Sequence, residues 1–121
     1  MLAYCTPSSH AVDHFKCYKV KVTAGTPKFP KGVQVSVADQ FTSPAKLFDR
    51  KKPKHLCTPA DENGSGIKDT RRHLLCYQAK PAKGQPTHVK VTGVNTANEI
   101  GADVVTTVKE QELCIPSQKT P

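Results

Sequence analysis

The chain has 121 residues, five cysteines, no tryptophan and 36% hydrophobic content. That is room for one small domain or two very small halves on a shared core, with less apolar material than the roughly 45–50% of an ordinary globular domain. No apolar run approaches the roughly 18 residues of a membrane-crossing helix, and 18 Lys+Arg against 10 Asp+Glu (+8 at pH 7) favour anionic partners or surfaces.

Residues 1–13 open on MLAYC, which has neither the basic start nor the apolar stretch of a signal peptide. Tyr4 stands where a lipobox needs a small residue. The reading is a chain that begins after its export signal. A first strand is predicted near 15–22, where KCYKVKV puts Tyr18, Val20 and Val22 on one face and Lys19 and Lys21 on the other. AGTPKFPKG then turns the chain. VQVSV alternates in the same way and predicts a second strand near 33–41, with Asp39 and Gln40 in the turn after it. A third strand is expected near 46–57, crossed by the densest basic run, RKKPK at 50–54. TPADENGSG begins a polar linker, 60–72, with at most one helical turn near 67–72. Strands are expected again near 74–80, 88–95 and 103–114, with turns at AKGQPT and at Asn95.

The second set of strands repeats the first. His14, Cys17, Tyr18 and Lys21 recur as His73, Cys76, Tyr77 and Lys80, at a spacing of 59 residues. HLCTP (55–59) recurs as ELCIP (112–116) at a spacing of 57, and YCTPSS (4–9) is a third echo of the same words. A fixed-period self-match is a strong fold signal. The expected fold is all-β: a small disulfide-stapled barrel or sandwich of about six main strands. Two three-stranded repeats, 14–59 and 73–121, would form one domain with pseudo-twofold symmetry. Residues 1–13 resemble the end of a preceding repeat, as in a longer array. Closure into a barrel would hide the strand edges.

Five cysteines in a short basic chain point to a disulfide framework and an oxidising compartment, secreted or on the cell surface. In a simple up-down-up repeat, Cys17 and Cys57 lie about 20 Å apart, a strand length, beyond the roughly 7 Å that a disulfide allows. The favoured pairs are therefore Cys57–Cys76 across the linker and, by repeat logic, Cys5–Cys17. Cys114 is left over, either unpaired, bonded to a neighbouring unit, or competing with Cys5 for Cys17 in a closed ring. A crossed-over strand order would reopen the pairings within each repeat.

No nucleophile elbow, zinc-protease helix, phosphate loop or dinucleotide fingerprint occurs, and no cofactor is expected. His14, Cys17, His73 and Cys76 could in principle supply zinc ligands, but positions i and i+3 of a strand face opposite ways, so no metal site is assigned. DENGS lacks the spacing and closing Glu of a calcium loop. Single-stranded nucleic acid asks for aromatics interleaved with basic residues. Only FKCYKVK offers that, and oxidised cysteines place the chain where nucleic acid is seldom the target.

The words HFKCYKVK, VSVADQF, HLCTPADENGSGI, HLLCY and ELCIPS resemble an uncharacterised duplicated domain of secreted proteins from myxobacteria-like and other environmental bacteria. The resemblance covers about 14–119. It implies an exported β module, often in tandem or appended to larger extracellular proteins, with no known activity or ligand. GVNTANEIGAD replaces the N/D-Q-F word in the second half. The expected function is a non-catalytic extracellular binding or adhesion module. It would hold a polysaccharide or anionic surface on Lys16, Lys19, Lys21, Arg50, Lys51, Lys52 and Lys54. The second expectation is a structural unit of an extracellular fibre or layer, linked to copies of itself through Cys5 or Cys114.

Overall fold

The computed structural model describes residues 13–27, 32–64 and 66–118. These form seven strands and no helix: β1 (His14–Lys19), β2 (Gln34–Asp39), β3 (Thr42–Ala60), β4 (His73–Pro81), β5 (Val91–Asn98), β6 (Gly101–Thr107) and β7 (Glu112–Ser117). The expected turn of helix near 67–72 is a tight turn instead, closed by the Arg72 amide donating to the Asp69 carbonyl at 3.3 Å.

The organising element is β3, 19 residues long. Its C-terminal half pairs antiparallel with β1 and its N-terminal half with β2, so β1 and β2 lie end to end along one edge of it. On the opposite edge β4 runs antiparallel from Phe48 to Cys57, and β7 follows β4. The order is β1-β3-β4-β7 with β2 beside β3, while β5 and β6 form a separate two-stranded sheet. Prolines hide the length of β3 in the sequence. Pro53 falls where the β3–β4 ladder shifts register on both sides of it, so its missing donor breaks no regular rung.

The core is as thin as the composition foretells: among apolar residues Phe48, Cys57, Cys76, Ala79 and Ala82 are buried. His73 is buried with them and donates through Nδ1 to the Arg71 carbonyl at 3.1 Å. The expected barrel is not found. Among the described residues β1 with β2 on one side and β7 on the other are the edges of an open sheet. Nor do the sheets stack as a sandwich, since six of the seven β6 residues are exposed. The second half also has four strands rather than three, because the strand expected over 103–114 breaks between Thr107 and Glu112.

The cysteines pair differently from expectation. The bonds are Cys17–Cys57 and Cys76–Cys114, in place of Cys57–Cys76 and Cys5–Cys17. The expectation set the second strand between the first and third. In fact β1 lies directly against β3, which puts Cys17 opposite Cys57, and β4 lies against β7 with Cys76 opposite Cys114. Cys114 is thus neither unpaired nor free for a neighbouring unit, and Cys5 lies outside the described residues.

Candidate functional site

The basic run sits in a double irregularity at the middle of β3. Between Arg50 and Pro53, and again between Pro53 and His55, β3 carries a residue more than β4 opposite. Such bulges bend the strand and re-aim its side chains. Lys51 and Lys52 are exposed there, and Lys54 is half-buried. The end of β1 arrives beside them. Lys19 stands opposite His55, and the amide of Val20 donates to the Lys54 carbonyl at 3.0 Å, which brings Lys21 alongside.

Five of the seven expected basic residues therefore lie along one stretch of the β1–β3 pair, Lys19 on the face of His55 and Lys54 on the other face, and two are engaged with aromatic rings. Arg50 is half-buried with its guanidinium 4.8 Å from the Tyr77 ring centre, and its amide donates to the Val33 carbonyl at 2.9 Å. A stacked, partly desolvated guanidinium is an internal tie worth about 1–2 kcal/mol. Lys16 lies on the opposite face of β1 from Lys19, across from Thr58, with its ammonium 5.1 Å from the Tyr18 ring centre.

A second feature, which no motif announces, is a cleft beside the β2–β3 hairpin. Two adjoining cavities of about 310 and 350 Å³ share Phe41, Thr42, His88 and Glu110. Lys46 is buried beside this cleft and donates to Glu110 at 2.6 Å. The strand expected over 103–114 would carry both Glu110 and Glu112 in regular alternation. Instead Glu110 turns inward at the break between β6 and β7, and Glu112 accepts from His55 at 2.8 Å. The one sequence signal was the alternation that puts Lys46 on the same face as Phe48. With Asp39, Glu110 and Glu112 against Lys109 and the paired Lys46, the ionisable lining does not suit an anion.

The zinc ligands considered from sequence are not available as a set, because Cys17 and Cys76 are in disulfides. His14 instead meets Glu62 at 3.3 Å and Glu99 at the tip of the β5–β6 hairpin, the donor atoms lying within 4.8 Å of one another. One imidazole and two carboxylates could take a divalent metal. They equally satisfy one another as an ion pair that ties the hairpin tip to the start of β1.

The linker is fastened by Asp13, whose carboxylate accepts the amides of Lys68 (2.5 Å) and Asp69 (2.9 Å). Among the described residues no helix is long and apolar enough to cross a membrane. The chain matches no protein-family model, no curated protein and no solved structure.

Proposed function

We propose that the chain is a non-catalytic extracellular binding or adhesion module that holds a polyanionic polysaccharide or surface on the β3 bulge. The observation that carries this reading is that Lys51, Lys52 and Lys54 stand in a twice-shifted stretch of β3 whose neighbour is the Lys19–Lys21 end of the first strand, so that cations crowd both faces of one short length of sheet. A polyanion needs closely spaced cations more than a pocket, and the bulge supplies them on a rigid strand. Two disulfides and the resemblance to duplicated secreted domains support an exported protein, and the matched words at a spacing of 59 residues support two related halves.

The test is retention on a sulfated or carboxylated polysaccharide matrix at low and high salt. Binding should weaken steeply with salt. Lys51→Glu with Lys52→Glu should weaken it at least tenfold, since a lysine near an anionic surface contributes about 1 kcal/mol. Lys90→Glu, exposed but away from the bulge, should change little. Binding indifferent to salt and to the bulge lysines would refute the reading. A structural role in a fibre or layer is the second reading, favoured by the open edges of the larger sheet. It would rest on backbone pairing, because Cys114 is already bonded.

A further inference from the structure

Among the described residues the larger sheet ends on two edges that fit each other. The Cα atoms of Cys17 and Cys57 are 3.9 Å apart, and so are those of Cys76 and Cys114. In an antiparallel ladder the close pairs, about 4.5 Å rather than 5.5 Å, are those that exchange no hydrogen bonds with each other. The amide and carbonyl of Cys17 therefore point away from β3, with those of Phe15 and Lys19. The bond from Val20 to Lys54 fixes the same alternation, even-numbered residues of β1 facing β3. By the same rule Cys114 and Glu112 turn their backbone groups away from β4, while the Gln111 carbonyl accepts from Ala79 of β4 at 3.1 Å.

The seam between β3 and β4 shows what such edges join to. There Cys57, whose backbone groups are directed away from β1, stands opposite Leu74. Cys114 holds in the β4–β7 ladder the place that Cys57 holds in the β1–β3 ladder. His73 opposite Ser117 and His14 opposite Ala60 lie three residues from their cystines in both. Phe15 precedes Cys17 as Leu74 precedes Cys76, by two residues. Setting Cys114 opposite Phe15 therefore rebuilds the β3–β4 seam from the two open edges, with donors and acceptors in phase. Leu113 then faces Lys16 and Glu112 faces Cys17, with Lys19 diagonal to Glu112 on one face, within reach of a long side chain. Of the charges, Lys19 at the end of β1 and Glu112 at the start of β7 are the pair that can meet, since Glu110 is held by Lys46.

The geometry points to β7 of one copy taking β1 of a second copy as its next antiparallel strand, Cys114 opposite Phe15. The two surfaces differ, so the contact is heterologous and each added copy presents a fresh edge. Pairing of this kind extends a sheet without closing it. It does not depend on polysaccharide binding, and the experiment involves no polysaccharide.

Sedimentation velocity over a wide concentration range should show growth through a series of sizes, weaker at high salt. Residue-resolved amide exchange of the same unaltered protein supplies the second readout. Between dilute protein and a concentration ten times the dissociation constant, the amides of Phe15, Cys17, Lys19, Glu112 and Cys114 should slow about tenfold. Those of Leu113 and Ile115, which face β4, should not change. Lys19→Pro removes one outward donor at an edge position that tolerates proline, and should abolish growth, whereas Lys19→Ala should retain it. A monomer at all concentrations, a dimer that stops at two copies, or slow exchange of Cys17 and Lys19 already in dilute protein would each overturn the inference.

Discussion

The two hairpins start from the same local chemistry and end in different surroundings. In the β2–β3 hairpin the Asp39 carboxylate accepts the amide of Phe41 at 2.9 Å, and in the β5–β6 hairpin the Asn98 side-chain carbonyl accepts that of Ile100 at 2.8 Å. Val35 stands opposite Phe48 in the first, and Val94 opposite Val105 in the second. Yet Phe48 is 6% exposed and Val105 46%. The difference is made by a neighbour. β3 runs on past its hairpin to Ala60 and is covered from Phe48 by β4, whereas β6 stops at Thr107 and no strand covers its outer edge among the described residues. A turn and an alternating pattern suffice to make a hairpin. An adjacent strand is what makes its apolar face a core.

The largest effects should come from the disulfides that hold this difference in place. Their sequence separations of 40 and 38 residues correspond to about 4 kcal/mol each on loop-closure grounds, a large part of the roughly 5–15 kcal/mol that holds a domain. Cys76→Ala with Cys114→Ala releases β7, and with it the anchor of the second hairpin. Amide exchange throughout β5 and β6 should then rise with the global loss seen in denaturant melts. Cys17→Ala with Cys57→Ala should cost as much overall yet leave the β2–β3 hairpin as protected as the remaining sheet. Equal exposure of both hairpins in both variants would remove the distinction.

Side-chain truncation tests the same contrast more directly. Phe48→Ala should cost about 3–4 kcal/mol, the usual range for a buried aromatic. Val105→Ala, on an exposed strand, should stay within about 0.5 kcal/mol. A comparable loss at both sites in chemical denaturation would show that the second hairpin buries its face after all. Lys46→Ala should fall just below Phe48→Ala, at about 3 kcal/mol. It leaves Glu110 without its partner in a partly buried site, where the side chains of the pair are 6% and 17% exposed. Restoring stability with a second change, Glu110→Gln, would assign the loss to the stranded carboxylate.

How far the residues alone foretell this follows from which signals are local. Alternation in KCYKVKV and VQVSV places β1 and β2 within a few residues, because period two needs only the strand itself. Asp39 was expected in the turn after the second strand and is instead the last residue of β2, its carboxylate accepting from the turn residue Phe41. Asn95 was expected likewise but lies in β5, the turn belonging to Asn98 three residues on. The cystine partners were misjudged because they depend on strand order, which depends in turn on β3 being long enough to carry β1 and β2 along one edge. Pro44, Pro53 and Pro59 read as breaks in the sequence, yet all three lie within β3. The basic run was legible as charge, but its bulge was not, since a register shift is a property of two strands. The Lys46–Glu110 and His14–Glu99 contacts join residues 64 and 85 positions apart, and nothing local announces them.

The smallest effect concerns a third turn of the same kind. Asp69 accepts the amide of Arg71 at 2.9 Å and its guanidinium Nε at 3.3 Å. The backbone donor foremost, with the Arg71 and Arg72 charges, holds its carboxyl below the ordinary value of 3.8 against a weaker opposing pull from burial. A carboxyl whose folded value is depressed contributes stability that is complete above 3.8 and is lost as pH falls from there through the folded value. Asp69→Asn keeps the acceptor for the turn but removes the titration. Its thermal midpoint should lie slightly below the parent's at neutral pH, and the two should converge as pH falls below 3.8. Asn98 already makes its turn with a neutral amide, so the second hairpin contributes nothing to that acid limb through its turn. Parallel acid curves for the variant and the parent would show that the Asp69 turn is held by its shape alone, as the Asn98 turn is.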